Sequence, residues 1–307
     1  EVAERRLRTI DVDNLTPIQV NNNAIQNIPL GDGPGGTPDG PFGVVGGTFL
    51  VQGDLTETRS YVTLFGSNTI PTKEFPVDYS TVGPGRVVVL KGQFSLHAPV
   101  VTINVGKGPR FPALATVAGK LKLYVPCGGA NRVDVIDTTT NSKVAEIPVG
   151  LDPSSCTVAV NDSKIYVTNF GDGTISVIDP KTDQKIKDIP APHVTIPAPF
   201  GSTTPPAAPM LTNPWNAAVS RTNGQLYVTY WGTVGNVFPN GAIAEFDTCT
   251  DTFVRAMLDP QTRGTAPGSA GASGIVATTA PLTREAATGL SPRAGGGRRR
   301  RSRLPSG

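Results

Sequence analysis

Residues 164–190 read KIYVTNFGDGTISVIDPKTDQKIKDIP. This stretch contains three short runs rich in Val, Ile and Thr, and these runs are separated by Asp172-Gly173 and by Asp179-Pro180. Short runs of this kind, bounded by Gly, Pro, Asn and Asp, are typical of β-strands joined by tight turns. A fourth strand is expected just before them, over 155–160, so the segment predicts one small antiparallel sheet.

The same pattern recurs along the chain, which indicates a repeat architecture. Tyr124 stands 42 residues before Tyr166 in a close copy. Looser copies place Tyr61 63 residues before Tyr124 and Tyr227 61 residues after Tyr166. Loop insertions of about twenty residues, at 67–84 and 191–213, account for the longer spacings. The second strands are therefore predicted near 60–65, 121–126, 163–169 and 225–230.

A sheet of four short strands cannot cover its own apolar faces, so each unit must stack on the next, and radial stacking gives a propeller. We therefore predict an all-β β-propeller over 1–282, with four to five blades visible and the chain a fragment of a larger ring. The predicted units are complete blades at about 41–106, 109–150, 153–190 and 214–260, partial blades at 8–31 and 272–280, and a disordered Gly/Arg-rich tail at 283–307.

Propellers commonly close by letting one end of the chain complete the blade that the other end begins. Residues 8–13 and 24–30 are predicted to be the third and fourth strands of such a blade. The far end offers one inner strand around Ile275 and no Tyr-Val-Thr counterpart after it. We therefore expect an open sheet edge beside residues 8–13.

Composition agrees with many short strands and narrows the class of partner. The chain has 35 Gly and 29 Pro in 307 residues. Its formal net charge is +3, and removing the five arginines at 298–301 and 303 leaves about −2. A nearly neutral body lacks the basic face of a nucleic-acid binder, so no nucleic acid is expected. No run of about 20 apolar residues occurs, so no membrane span is expected either.

The segment Tyr166-Val167-Thr168-Asn169, followed by FGDGTISVID at 170–179, resembles the YVTN family of β-propeller repeats. The resemblance covers roughly residues 8–260 and is strongest over 119–190. It implies an extracellular, periplasmic or cell-surface location and a role as a binding or interaction scaffold. The family's propellers usually have six to eight blades, which is why a fragment is favoured.

Ligands of propellers usually lie at one mouth of the central channel, where the loops before the inner strands meet the loops between second and third strands. These loops supply one arginine, two tryptophans and several amides and hydroxyls, a mixture that suits a protein or a small polar or carbohydrate ligand. The candidate ligand-binding residues are Arg110, Asn131, Ser155, Asn169, Asp172, Trp215, Asn216 and Trp231. For each of them, ordinary loop chemistry is the competing interpretation.

The sequence carries few signs of catalysis. A Ser-His-Asp arrangement needs a histidine beside the nucleophile, and the two histidines, His97 and His193, are not expected at the channel mouth. No His-x-x-x-His, paired Cys-x-x-Cys or glycine-rich phosphate loop occurs, so no metal, cofactor or catalytic residue is predicted. The favoured function is a binding scaffold, and the alternative is a lactonase-like propeller hydrolase or lyase with a site at the channel mouth.

Two further residue classes have structural interpretations. Asp137 and Asp179 each end a third strand, where a carboxylate can accept backbone N–H groups of the following turn. Cys127 and Cys156 are expected at the same rim of neighbouring blades. A disulfide between them and two separate small apolar side chains both remain open, because sequence alone does not fix their Cα separation. Cys249 has no evident partner.

Overall fold

The structure is a computed structural model, and it describes the backbone of the strands before residue 50 and of residues 58–66, 78–93, 96–194, 210–233 and 241–258. Six short strands come first: β1 Arg6–Arg8, β2 Ile10–Asp11, β3 Thr16–Pro17, β4 Gln19–Val20, β5 Ala24–Ile25 and β6 Asn27–Pro29. They form three antiparallel pairs, β1 with β6, β2 with β3 and β4 with β5.

The next sixteen strands form four antiparallel four-stranded sheets in simple chain order. Sheet 1 is β7 Pro41–Thr48, β8 Thr58–Leu64, β9 Gly85–Gln93 and β10 Leu96–Val105. Sheet 2 is β11 Ala113–Val117, β12 Lys120–Cys127, β13 Arg132–Asp137 and β14 Ser142–Pro148. Sheet 3 is β15 Pro153–Val158, β16 Ile165–Asn169, β17 Ile175–Asp179 and β18 Gln184–Ile189. Sheet 4 is β19 Leu211–Val219, β20 Leu226–Thr233, β21 Ala242–Asp247 and β22 Thr252–Leu258.

Neighbouring sheets are held together by apolar cores between their faces. In β16 the side chains alternate, so Ile165 and Val167 pack against sheet 2 while Tyr166 packs against sheet 4. A further core joins sheets 1 and 2 through Tyr61 and Leu123, both fully buried. Each buried Val, Leu or Ile contributes roughly 1.5–3 kcal/mol. The sheets therefore depend on stacking for their stability, as the repeat predicts.

From sheet 2 to sheet 4, the first strands of neighbouring sheets contact each other more closely than the fourth strands do. This fan-like arrangement, together with the meander order of each sheet, is that of β-propeller blades. The predicted fold class is confirmed: the chain is an all-β protein of propeller-type blades. All four predicted second strands are also confirmed, as β8, β12, β16 and β20.

Every fourth strand contains a β-bulge at the same place, because one of its residues has no partner in the third strand. The four bulged residues are exposed aliphatic side chains, 51–54% accessible: Val100, Val144, Ile186 and Val254. Bulges twist the exposed edge of a sheet and hinder pairing with another chain. The repeat thus protects each outer edge in the same way.

The sheets are also joined at the periphery by a repeated polar contact. Tyr166 donates a hydrogen bond of 2.6 Å to the carboxylate of Asp251, and Lys164 forms an ion pair of 2.8 Å with the same carboxylate. In the preceding pair of sheets, Tyr124 donates to Asp183 at 2.8 Å. We call each Lys-Tyr-Asp set, Lys122-Tyr124-Asp183 and Lys164-Tyr166-Asp251, a peripheral latch.

The turns after the third strands are built as the sequence predicts. Asp137 accepts the backbone N–H of Thr139 at 2.7 Å, and Asp179 accepts that of Lys181 at 2.8 Å. The structural role of these two aspartates is therefore confirmed. The predicted inner strand at 272–280 and the tail at 283–307 lie outside the described residues, and closure of the ring and an open edge beside 8–13 stay predictions.

Candidate functional site

The start of each first strand has the same backbone design. A proline opens the segment, and the residue before it has a left-handed backbone in three sheets: Gly108 with φ 62°, Asp152 with φ 51° and Asn213 with φ 58°. Gly, Asp and Asn are the residues that tolerate this conformation best. The left-handed backbone before the proline is thus repeated from sheet to sheet, although the residue that adopts it differs.

The residue after the proline is out of register with the second strand in three of the four sheets, so it forms a bulge. Bulges re-aim side chains and are common beside functional sites. The four equivalent residues, all different, are Phe42, Arg110, Ser154 and Trp215. These four positions and the residues on either side of them form one part of the inner rim. The other part is the set of residues at the ends of the second strands.

A second set of equivalent positions lies where each second strand ends, four residues after its tyrosine. Three of these positions carry an aromatic residue and the fourth a glycine: Phe65, Gly128, Phe170 and Trp231. Aromatic rings from neighbouring sheets therefore meet at the inner rim. The glycine leaves sheet 2 without a ring of its own at this place.

Arg110 is the charged centre of the inner rim. Its guanidinium forms an ion pair of 2.9 Å with Asp152, and the two side chains are only 2% and 10% exposed. It also donates a hydrogen bond of 2.8 Å to the Tyr79 hydroxyl, which in turn donates to Asp152. Burial raises the pKa of Tyr79, so the phenol stays neutral and keeps its proton for this bond.

Aromatic rings flank the Arg110 guanidinium. Its central carbon lies 5.3 Å from the ring centroid of Trp215 and 5.8 Å from that of Phe65. Cation–π contacts at these distances stabilise a partly desolvated cation. The ion pair is therefore part of a mixed aromatic and charged cluster.

The aromatic part continues from Trp215 across sheets 3 and 4. The ring centroid of Trp215 is 5.0 Å from that of Trp231 and 5.3 Å from that of Phe170, and Phe111 completes the group at 5.8 Å from Trp215. Phe170 is buried, but both tryptophans are only half-buried. Half-buried indole rings can stack on the face of a sugar or another planar group.

Backbone contacts fix the positions of these side chains. Thr63 donates to the carbonyl oxygen of Arg110 at 2.8 Å, and Ser154 donates to that of Trp215 at 2.8 Å. Both bonds are between neighbouring sheets, so the inner rim is held by the same packing that holds the fold. Such support keeps a binding group in one orientation without cost at the moment of binding.

The eight predicted site residues fall into three groups in the structure. Arg110, Trp215 and Trp231 are brought together. Asn131 lies beside them and has a structural role, because its side-chain oxygen accepts the backbone N–H of Asp152 at 2.9 Å. Asp172 accepts the backbone N–H groups of Leu151 and Thr174, so its carboxylate shapes a turn.

Of the remaining three predicted residues, two are buried in sheet 3 and the third, Asn216, is half-buried in sheet 4. Ser155 is fully buried and bonded to Thr168 at 2.9 Å. Asn169 is also buried, and its amide donates to Thr174 and Ser176. Asn216 accepts the backbone N–H of Ala217. Ser155 and Asn216 lie in the first strands rather than in loops, and each directly follows a bulged residue, Ser154 or Trp215.

Sequence reasoning missed Tyr79, Asp152 and the two phenylalanines. Tyr79 belongs to the insertion at 67–84, and nothing local shows that it reaches sheet 2. Asp152 does carry a signal, because an Asp-Pro pair stands in the place of Gly108-Pro109 and Asn213-Pro214. Phe65 and Phe170 could have been found by aligning the four copies on their tyrosines.

The cysteines are all free. Cys127 packs in the core between sheets 1 and 2, whereas Cys156 packs in the core between sheets 2 and 3. The two thiols therefore lie on different sides of sheet 2, and of the two alternatives the structure shows the unbonded one. Burial raises the pKa of both thiols, and Cys249 is exposed.

Within the described ranges, no group of three or more His, Cys, Asp and Glu side chains is placed to hold a metal ion. The same part of the chain contains no helix with the length and apolar character needed to cross a membrane. The helices described are short 3-10 turns at Tyr79–Thr81, Gly128–Ala130 and Val160–Asp162.

No known protein-family profile matches the sequence, and no curated protein matches it. Among solved structures, the chain is similar to Kuenenia stuttgartiensis hydrazine synthase, with 18% identity, 58% of this chain and 46% of that chain covered, and a TM-score of 0.44. It is also similar to dihydro-heme d1 dehydrogenase NirN in complex with DHE, with 13% identity, 86% and 45% covered, and a TM-score of 0.49.

A third similar structure is BBS1N in complex with ARL6DN, soaked with lead, with 11% identity, 84% and 63% covered, and a TM-score of 0.46. The chain spans about half the length of the first two proteins, 46% and 45%. No activity of these proteins is assigned to this chain.

Proposed function

We propose that the chain is a secreted or surface-exposed β-propeller of the YVTN type that acts as a binding scaffold. Its ligand, a protein or a small polar or carbohydrate molecule, is bound at the inner rim by Trp215, Trp231 and Arg110. The observation that carries the proposal is the cluster itself: two half-buried indoles beside a buried, ion-paired guanidinium.

Physical chemistry supports binding as the role of this cluster. Indole faces bind the apolar face of a sugar or planar group, and the ion-paired arginine stacks on Trp215 and holds that ring in place. The same repeat positions in sheets 2, 3 and 4 carry Arg110, Ser154 and Trp215. A position that served only to maintain the fold would be expected to keep one residue type from sheet to sheet, as the latch tyrosines do.

The test uses the two tryptophans of the chain as probes, since both belong to the inner rim. The full chain is titrated with a carbohydrate panel while indole emission is recorded. Saturable quenching or a spectral shift is expected for at least one ligand class. Trp215→Phe and Trp231→Phe each leave one indole, so the emission of either can be assigned.

Trp215→Ala is expected to weaken binding by about tenfold or more, because aromatic contacts of this kind contribute about 1–3 kcal/mol. Phe253→Ala is a matched control, since Phe253 packs at the periphery of sheet 4 against Phe246. Equal loss of binding in both variants would show that the effect is one of folding and would count against the rim. Absence of any ligand-dependent signal across the panel and a protein array would refute a binding role.

The location and the repeat family have tests of their own. Antibody detection in fractions of the source cells should find the protein outside the cytoplasm, and a cytoplasmic pool alone would contradict this part. Membership of the YVTN type rests on the motif at 166–169 and its copies. Homologous sequences should keep the Tyr-Val-Thr spacing of these copies, and its absence from them would contradict membership.

A further inference from the structure

The ring of Tyr79 lies in a slot that three glycines leave open. A Cβ added at Gly108 or at Gly129 would lie 2.5 Å from a carbon of this ring, and one added at Gly128 would collide with the hydroxyl. Any side chain at these three positions would therefore fill the slot. We call the space bounded by Gly108, Gly128 and Gly129 the glycine slot.

The end of the glycine slot is made for a neutral phenol. Arg110 donates to the hydroxyl oxygen at 2.8 Å, and Asp152 accepts the hydroxyl proton. Both partners are almost completely buried, with 2% and 10% of their side chains exposed. The second oxygen of Asp152, Oδ2, is also buried and has no hydrogen-bond partner among the described residues. A hydroxylated ring fits this end better than a hydrocarbon ring does.

Sheet 2 differs from its neighbours in the origin of this ring. Phe65 and Phe170 directly follow their second strands and Trp231 lies within its own, so all three are parts of their own sheets. The equivalent residue of sheet 2 is Gly128, and the ring comes instead from the insertion in sheet 1. A ring supplied from elsewhere in the chain can be withdrawn without breaking a strand.

The backbone around Tyr79 forms a single 3-10 turn, Tyr79–Thr81, in which the neighbouring residues Asp78 and Ser80 are exposed. Asp78 accepts the backbone N–H of Ser80, and Lys107 donates to the carbonyl of Tyr79 at 3.4 Å. The chain is held again directly after the turn, where Val82 is buried and Gly83 donates to the carbonyl of Gly66 at 3.0 Å. An exchange of the ring would therefore move this turn alone.

We propose that the glycine slot is a binding subsite for a phenol group of another molecule, which exchanges with Tyr79. The ligand is a small phenol or an exposed tyrosine of a partner protein, since both present the same ring and hydroxyl. The proposal rests on the proposed function, because it names the chemical class of one group bound at the inner rim. Tyr79 then acts as an internal competitor that keeps the slot closed in the free protein.

The test compares three forms of the full chain: wild type, Tyr79→Phe and Tyr79→Ala. Each form is titrated with 4-methylphenol and, separately, with 4-methylanisole, whose oxygen carries no proton. Indole emission reports binding, because Arg110 at the end of the slot stacks on Trp215. Tyr79→Ala should bind 4-methylphenol about tenfold more tightly than 4-methylanisole, because one hydrogen bond to a charged acceptor is lost in the ether. Asp152→Asn in that background should reduce the preference, because an amide oxygen is an uncharged and weaker acceptor.

Exchange is tested by the other two forms. Wild type should bind 4-methylphenol saturably but more weakly than Tyr79→Ala. Tyr79→Phe keeps the ring and loses the hydroxyl, so its internal competitor is weaker and its apparent affinity should lie between them, about fivefold above wild type. Binding by Tyr79→Ala alone would show a cavity made by truncation and would overturn the proposal. Absence of binding in all three forms would overturn it as well.

A peptide with a central tyrosine, and its phenylalanine counterpart, separate the two sources of the phenol. Tighter binding of the tyrosine peptide than of 4-methylphenol supports a partner protein, whereas equal or weaker binding supports a small phenol. If Tyr79→Ala does not fold, as judged by circular dichroism, the comparison of wild type with Tyr79→Phe still decides the question. Retention of Trp215-dependent carbohydrate binding in a form that binds no phenol would reject the slot and leave the proposed function intact.

Discussion

At the periphery of the sheets, the repeat uses the same residues for the same contact, since Tyr124 donates to Asp183 and Tyr166 donates to Asp251 in the next sheet along. At the inner rim, equivalent positions carry Arg110, Ser154 and Trp215, and each makes different contacts. In both regions the backbone conformation is repeated from sheet to sheet. At the periphery the side chains are repeated as well, whereas at the inner rim they differ.

This comparison separates architecture from specificity. Where the repeat keeps both backbone and side chain, the contact joins one sheet to the next, as it does between sheets 2 and 3 and between sheets 3 and 4. Where it keeps the backbone alone, the side chain is free to differ from sheet to sheet. The inner rim therefore concentrates the residues that distinguish this protein from an ideal repeat.

The largest expected contrast is in thiol reactivity. Cys249 lies in an exposed peripheral turn, whereas Cys127 and Cys156 are buried in cores and have raised pKa values. Buried thiols react only when the structure opens, so they should react at least about a thousandfold more slowly than Cys249. A thiol reagent should titrate one thiol in the native chain and three after unfolding. One thiol after unfolding would show a disulfide.

Loss of the rim carboxylate should be the most destabilising single substitution. Asp152→Asn keeps a residue that tolerates the left-handed backbone but removes the negative charge beside the buried Arg110. We expect a loss of about 3 kcal/mol in the free energy of unfolding, measured with urea. Asp162→Asn is the matched control, because Asp162 is also left-handed and accepts a backbone N–H but has no described ion pair. Equal losses in both variants would contradict the importance of the pair.

A peripheral latch should contribute less than the rim pair. Asp251→Asn removes the charge that Lys164 and Lys187 share, and we expect a loss of about 2 kcal/mol because Lys164 is partly exposed. A double-mutant cycle with Tyr166→Phe measures the coupling across the junction between sheets. Strict additivity would mean that the latch does not act as a unit.

Acid should weaken the same latch. Burial alone would raise the pKa of Asp251, but the bonds donated by Lys164 and Tyr166 outweigh it, so its pKa lies below the ordinary value. Its stabilisation is therefore complete above about pH 4 and is lost as the pH falls through the folded-state pKa. Asp251→Asn should flatten the fall in unfolding free energy below pH 4, and an unchanged acid limb would be inconsistent with this role.

The smallest effect is expected at the outer bulges. Val144→Thr and Ile186→Thr replace exposed side chains by another β-branched residue, and the free energy of unfolding should change by less than about 0.5 kcal/mol. Light scattering provides the second readout, since these residues lie on outer edge strands. A decrease of more than about 1 kcal/mol in the free energy of unfolding would show that the bulged side chains make stabilising contacts despite their exposure.

Much of the architecture was predictable because it is periodic. The spacing of Tyr61, Tyr124, Tyr166 and Tyr227 located the second strands, and the roles of Asp137 and Asp179 followed from local turn chemistry. Local periodicity is legible in a sequence because strand and turn propensities act over a few residues. The same reasoning identified three members of the rim cluster, Arg110, Trp215 and Trp231.

The differences at the site between expectation and structure have two physical causes. Bulges next to Pro153 and Pro214 shift the strand alternation by one residue, so Ser155 and Asn216 point elsewhere than their distance from the proline suggests. Tyr79 reaches Arg110 across 31 positions of the chain, through an insertion that has no repeat counterpart. Neither a bulge nor a contact of this range has a local signature.

By itself, the sequence determined the four-stranded units, their order and the need for each sheet to stack on the next, since a repeated apolar pattern allows no other way to cover the faces. Only the tertiary structure decided that Cys127 and Cys156 lie in different cores, and that Gly128 leaves room for the phenol of Tyr79. These outcomes depend on which face of a strand a side chain takes and on where an insertion packs. Both are set by the contacts between sheets, which no single unit encodes.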